Sequence, residues 1–269
     1  MTSQNTLGTA LITGASTGIG AAYADRLARR GYDLILVARN QQRLSALAAS
    51  IGTKTGRKVS FLVADLNSKA DLLDIEKVLA TDPSITLLVN NAGVGAVAPL
   101  VSTDVDDMEA LIDLNVKALT RLTYAAAPAF VARGAGAIVQ IASVVGISTE
   151  TLNGVYGASK AFVIALTQSL QHELADKGVR IQAVLPGATA TPFWDVAGMP
   201  VTDLPDDFVM TTDDLVDAAL AGFDMGEVYT IPALADMAQF NAYEAARVAM
   251  VPNLSKTKPA ARYGLGQAL

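Results

Sequence analysis

The chain has no cysteine. Disulfides, thiolate metal ligands and cysteine nucleophiles are therefore outside its chemistry. Histidine is nearly as scarce: His172 is the single one, so a histidine-based metal cluster is excluded too and no metal site is expected. Charge is thin, at 17% of residues, and sums to −6. No run of lysine or arginine offsets that balance, which argues against a nucleic-acid surface. The start, MTSQNTLGTALIT, lacks a basic region followed by a long apolar core and does not read as a secretory leader. The charge-free span 85–103 holds Asn90, Asn91, Gly93, Gly95 and Pro99, which suit a strand and loop and not a membrane helix. The expectation is a soluble cytoplasmic protein that binds neither membrane nor nucleic acid.

Apolar residues, by contrast, make up 51% of 269 residues, enough for a substantial core. Their pattern alternates. Short apolar runs at 9–12, 34–37, 59–64, 86–89, 137–142, 180–185 and 228–231 predict strands. Helical patterns at 19–30, 41–53, 67–80, 105–133, 153–176, 213–223 and 234–250 predict the helices that separate and follow them. Such alternation predicts an α/β fold: one Rossmann-type, doubly wound domain over residues 1–269, with a seven-stranded parallel sheet flanked by helices on both faces. Residues 192–212 break the pattern and read as a substrate loop or lid. Residues 234–269 read as a C-terminal helix and tail. Pro128 is expected to bend or end the 105–133 helix locally.

The first strand runs into Thr13-Gly14-Ala15-Ser16-Thr17-Gly18-Ile19-Gly20 and then a helix. Strand, glycine turn and helix form the arrangement that cradles a dinucleotide pyrophosphate. Gly14 permits the tight turn, Gly18 lets backbone approach phosphate, and Gly20 lets helix pack on sheet. The helix start offers free N–H groups and the positive end of its dipole. In an NAD site an acidic residue about 20 positions on holds the ribose 2′-hydroxyl. Here that place holds Ala38 and Arg39, a guanidinium suited to a 2′-phosphate, so NADP(H) is favoured over NAD(H).

Other polar residues gather at predicted strand ends, the ligand edge of such sheets. Asp65 and Leu66 close the third strand, Asn90-Asn91-Ala92-Gly93 the fourth, Ser143 the fifth, and residues 186–191 the sixth. Tyr156 and Lys160 lie one helical turn apart, where an ammonium would lower the phenol pKa and fit it for proton transfer. Asn115 falls in the first half of a long helix; buried there, it needs hydrogen-bond partners, in a kinked backbone with a water or in a neighbouring loop. Ser143 could instead be a hydrolase nucleophile, but its context is not G-x-S-x-G and His172 lies some four turns along the Tyr156 helix. The acidic clusters at Asp104, Asp106, Asp107 and at Asp206, Asp207 suit helix starts or solvated loops better than a metal site.

T-G-x-x-x-G-I-G at 13–20, N-N-A-G at 90–93, Asn115, Ser143, Y-x-x-x-K at Tyr156 and Lys160, and P-G-x-x-x-T at 186–191 occur in order and register. Together, over residues 8–235, they resemble the short-chain dehydrogenase/reductase family, in its compact single-domain branch. The resemblance implies that Tyr156 donates or accepts the proton and that Lys160 lowers its pKa and binds the nicotinamide ribose. It implies that Ser143 orients the substrate oxygen and Asn115 holds a water in a proton relay. For the cofactor it implies Gly14, Ser16, Thr17, Gly18, Ile19 and Gly20 at the phosphates, and Asp65 with Leu66 at the adenine. Asn91, Ala92 and Gly93 would line the adenosine side, with Pro186, Gly187, Thr189 and Thr191 near the carboxamide. Val94, Val144, Val145, Phe193 and Trp194 would line an apolar substrate site. A homodimer or homotetramer through the helices near 105–133 and 153–176 is also implied.

The expected activity is hydride exchange between NADP(H) and the carbonyl or secondary alcohol of an apolar small molecule. A 3-oxoacyl thioester reductase is the alternative, although it would want a basic patch for an acidic carrier, which a −6 chain does not advertise. A non-catalytic nucleotide-binding scaffold or sensor is the alternative of another class, opposed by the complete set Asn115, Ser143, Tyr156 and Lys160. Arg39→Ala is expected to weaken NADPH binding and leave NADH affinity little changed in parallel fluorescence titrations. Equal NADPH affinity in both proteins would remove the argument built on Arg39.

Overall fold

The computed structural model describes residues 7–265. The beginning of the leader reading and the end of the polar tail lie outside them. β1 (Thr9–Thr13), β2 (Asp33–Ala38), β3 (Val59–Val63), β4 (Ile85–Asn90), β5 (Gly136–Ile141), β6 (Val179–Val184) and β7 (Tyr229–Thr230) form one parallel sheet in the order β3-β2-β1-β4-β5-β6-β7. Strand order reverses between β1 and β4, which creates the crevice where ligands bind in sheets of this type.

The inner strands β1, β2, β4, β5 and β6 are mostly buried because both faces of the sheet are covered. Ala10 and Ile12 of β1 pack with α1 (Gly18–Arg29), α2 (Gln41–Thr55) and α8 (Thr212–Met225). Leu11, between them, packs on the opposite side with α3 (Lys69–Thr81), α5 (Leu119–Arg133) and α6 (Gly154–Leu174). The period of two thus feeds two cores from one strand. Asp104 caps α4 (Val105–Ile112) by accepting from Asp106 N, with Asp106 and Asp107 in the first turn, as expected of a helix start.

The helix expected over 105–133 is continuous but not regular. α4 passes through a π-helical turn, Asp113–Ala118, into α5. Pro128 does not end it, and α5 runs on to Arg133. Pro128 and Tyr124 are both exposed, so the carbonyl that loses its N–H partner lies on the solvent side. The irregular stretch 192–212 contains α7 (Phe193–Ala197) and two 3-10 turns, Val201–Asp203 and Asp206–Phe208. Its base is clamped: Ala190 N donates to Met210 O and Met210 N to Ala188 O, both at 2.9 Å.

The chain forms two compact units, the first ending at Pro232 and the second starting at Ala233. The first holds the whole sheet. The second holds α9 (Ala238–Met250), where Phe240 is buried and stacks on Tyr243 at 5.9 Å. The carboxylate of Asp236 accepts from Ala238 N, so this helix starts four residues later than its apolar pattern predicts. Among the described residues no helix is long and apolar enough to cross a membrane.

Phe130 anchors the α5 side of the sheet, fully buried, with the Arg133 guanidinium 5.2 Å from its ring centre. Phe130→Ala is expected to cost about 3–5 kcal/mol of stability. A lower urea midpoint with an unchanged transition slope would show it.

Candidate active site

The glycine turn depends on backbone that side chains avoid: Gly14 has φ +62° and Gly18 φ +57°. A Cβ on Gly20 would stand 2.4 Å from Gly14 O and 2.6 Å from Asn91 Nδ2, so only glycine lets α1 approach this closely. The turn is stitched to the end of β4. Asn91 Nδ2 donates to Thr13 O (2.9 Å) and Gly14 O (3.1 Å), while Asn91 N and Ala92 N both donate to Thr13 Oγ1 at 3.0 Å.

The cradle fits a dinucleotide. Thr17, extended at the N-cap of α1, makes no side-chain capping bond, which leaves the first N–H groups of the helix for an anion. Across the cleft, Thr191 Cγ2 would lie 3.1 Å from a Cβ at Gly18. A Cβ at Gly93 would meet Asn115 Oδ1 at 3.1 Å and Lys160 Nζ at 3.6 Å. The fold therefore brings the turns at 13–20, 90–93 and 186–191 to one edge, with Asn115 and Lys160 behind them. Ser16, Thr17 and Ile19 are half-buried at the rim, and Arg39 is exposed one residue beyond β2. Half-buried Asp65 is held by its own turn, its N donating to Asp71 and its carboxylate accepting from Asn67 N, beside buried Leu66. Pro186 O accepts from Ser143 Oγ at 3.2 Å, and Thr189 Oγ1 donates to Gly187 O.

Tyr156 and Lys160 are each 6% exposed. They share the inner stripe of α6 with Ser159, Val163, Thr167, Leu170 and Leu174. Burial pushes the Tyr156 phenol up to about 12, and a hydrogen bond with Ser143 acts the other way. Burial lowers Lys160 from 10.5 to about 8. In the nucleotide-free chain burial, and not Lys160, sets the direction of the phenol shift. The ammonium donates to Ile141 O at 2.9 Å and stands 5.9 Å from the Tyr156 ring centre, so loss of solvent governs both groups.

Asn115 lies in the π-helical turn, 1% exposed. Its Oδ1 accepts from Val94 N (3.0 Å), and its Nδ2 donates to Val94 O (2.9 Å) and Ser159 Oγ (3.2 Å). Ser159 Oγ in turn donates to Tyr156 O at 2.7 Å. Sequence reasoning missed Ser159, although its place three residues after Tyr156 puts it on the same helix face. It also missed Thr13, whose hydroxyl carries two backbone N–H groups.

Of the expected substrate residues, Val94, Val145 and Phe193 join Ala96, Leu111, Met108, Leu152, Val155 and Tyr156 in one apolar cluster. Val144 is outside it and uses its N–H on Pro186 O. Trp194 is buried and anchors α7, its Nε1 donating to Thr189 O at 2.9 Å. His172 is exposed near the end of α6.

A family model described as short chain dehydrogenase matches residues 8–198. The chain belongs to the short-chain dehydrogenase family and is an NAD(P)-dependent oxidoreductase acting on a small molecule. A short-chain dehydrogenase from Sphingobium yanoikuyae, solved in complex with NADPH, is 50% identical with a TM-score of 0.93, over 96% of this chain and 100% of that one. The bulky-bulky ketone specific alcohol dehydrogenase from Comamonas testosteroni is 42% identical with a TM-score of 0.89, over 96% of this chain and 99% of that one. The very-long-chain 3-oxoacyl-CoA reductase of Anas platyrhynchos is 34% identical over 186 residues, 68% of this chain and 60% of that protein.

From about pH 8 to 10.5 the unfolded chain keeps a Lys160 proton that the folded chain has shed, so this group adds stability as pH rises through that window. Lys160→Met is expected to raise the melting temperature of the nucleotide-free protein at neutral pH. It should also flatten the dependence of melting temperature on pH above about 8. A variant that melts below the wild type throughout would contradict the burial cost.

Proposed function

We propose that the protein is an NADPH-dependent ketone reductase, working in reverse as a secondary-alcohol dehydrogenase on apolar substrates. One observation carries this reading: buried Tyr156, bonded to Ser143, packs in an apolar cluster with Val94, Ala96, Leu111, Val145 and Phe193. The Comamonas relative, described as bulky-bulky ketone specific, supports the substrate class. Exposed Arg39 at the end of β2 supports the 2′-phosphate, as does the NADPH bound by the Sphingobium relative.

When bound, NADPH supplies a hydride to the carbonyl carbon. The protein's part is to hold, orient and move a proton. Gly14, Ser16, Thr17, Gly18, Ile19 and Gly20 bind the pyrophosphate, and Arg39 the 2′-phosphate. Asp65 and Leu66 take the adenine, with Asn91, Ala92 and Gly93 along the adenosine. Lys160 holds the nicotinamide ribose, and Pro186, Gly187, Thr189 and Thr191 surround the carboxamide. Ser143 Oγ steadies the carbonyl oxygen, and Tyr156 gives it the proton. A phenol pushed up to about 12 keeps that proton until the oxygen becomes basic, which suits reduction. Lys160, with Asn115 behind it, returns a proton to Tyr156, so ketone, NADPH and one proton yield alcohol and NADP+.

The Anas relative favours a second reading, reduction of a 3-oxoacyl thioester, and acetoacetyl-CoA in the substrate panel decides between the two. Exposed Val105, Ile112, Tyr124 and Phe162 on α4, α5 and α6 support pairing into a homodimer or homotetramer through those helices. Tyr156→Phe is expected to lower turnover by about 10²–10⁴-fold while leaving NADPH affinity nearly unchanged. NADPH absorbance with a ketone panel and nucleotide fluorescence titration read the two quantities. A variant that keeps most of its turnover would overturn the role of Tyr156.

A further inference from the structure

The Phe193 ring occupies a position that a substrate would need. Its centre is 5.7 Å from that of Tyr156, at a 46° tilt, inside the apolar cluster beside the phenol. The ring edge rests on Gly95: a Cβ built there would fall 2.1 Å from Phe193 Cζ, 2.7 Å from Cε2 and 2.9 Å from Cε1. Those three ring atoms are the nearest neighbours of such a Cβ. Gly95 is not among the glycines of positive φ, so its backbone would admit alanine. The closest obstacle to a side chain there is the Phe193 ring.

Phe193 and Trp194 are held differently. Trp194 is fixed by its bond to Thr189 O and meets the Phe193 ring edge-on at 5.5 Å. The Phe193 side chain has only apolar and ring contacts to keep it in the cleft. The strap that carries both is closed at its base by Ala188, Ala190 and Met210, and α7 ends at Gly198 with φ +90°. A flat ring held by contact alone is readily exchanged for another flat ring, because the newcomer regains the same stacking and burial. A saturated ring or alkyl chain regains less.

We propose that the Phe193 ring stands in for an aryl group of the substrate, and that Gly95 forms the floor of that aryl slot. This deepens the ketone-reductase reading and rests on it: the preferred substrates are ketones with an aromatic ring next to the carbonyl. The substrate's ring displaces Phe193 and lies on Gly95, which brings the carbonyl oxygen to Tyr156 and Ser143. Gly95 is then a specificity-determining residue, and Phe193 is the occupant that yields.

The test compares acetophenone with cyclohexyl methyl ketone, equal in carbon count and different in ring thickness, by NADPH consumption. The readout is the ratio of their kcat/KM values in wild type, Gly95→Ala and Phe193→Ala. The added methyl of Gly95→Ala fills the floor, and the acetophenone to cyclohexyl ratio is expected to fall about tenfold. Phe193→Ala removes the occupant, and the KM for acetophenone is expected to fall severalfold because no displacement precedes binding. Melting temperature and NADPH affinity serve as controls for folding, and either variant alone suffices if the other does not fold. Unchanged ratios, or a higher acetophenone KM in Phe193→Ala, overturn the aryl slot while leaving the reductase reading in place. Failure of the wild type to consume NADPH with any ketone overturns the reading itself.

Discussion

The stitch between Thr13 and Asn91 is the interaction on which the rest of the site depends. β1 and β4 are neighbours at the point where strand order reverses, so the loops that leave them part to opposite faces. The sheet pairing of β1 with β4 ends at Ile12 and Val89, and the tie continues it into the two loops. The Asn91 amide and the Thr13 hydroxyl together make four hydrogen bonds across the crevice. They fix the glycine turn over the start of α1. They also fix the first residues of the loop that carries Gly93, Val94 and Gly95 toward the reacting groups. Asn115 takes up the same loop further on by pairing with both backbone groups of Val94. Nucleotide cradle and substrate wall are thus two ends of one anchored segment.

On α6 the usual logic of a packed helix is bent to chemistry. Its buried stripe continues from Leu174 and Leu170 through Thr167 and Val163 to Lys160, Ser159 and Tyr156. The apolar half of the stripe secures the helix against the sheet, and the polar half is carried into the interior with it. A buried ammonium with a backbone acceptor at Ile141 O is a poor choice for stability and a useful one for proton transfer, since desolvation makes the proton easier to lose. Ser159 ties this strip to Asn115, so the π-helical turn and the start of α6 are positioned against each other.

Most of the fold was legible because the strands read as short, largely apolar runs between helical patterns. The turn at 13–20 was legible because its glycines sit between such a strand and such a helix. The π-helical turn was not: periodicity over 105–133 is that of one helix, and the extra residue is accommodated through bonds to Val94 and Ser159, which are remote in sequence. Pro128 is carried inside α5 because it and Tyr124 lie on the exposed side of the helix. α7 was hidden by the prolines and aspartates around it. The Tyr156–Lys160 spacing revealed adjacency but not the burial of the pair, which raises the phenol and lowers the ammonium in the nucleotide-free chain. The bond of Trp194 to Thr189 O was not legible either, because the two meet only once the turn after β6 has folded.

The position of β1 in the sheet also shapes how the protein can be made. β1 lies inside the sheet, flanked by β2 and β4. Its partner Asn91 follows Thr13 by 78 residues. Until that length has been synthesised, the edge of β1 that pairs with β4 leaves its backbone N–H and C=O groups without those partners, and an unpaired strand edge is a place for wrong association. The same long-range pairing that gives the nucleotide its crevice therefore carries a folding cost, because the intervening chain must close into a loop before the contacts form.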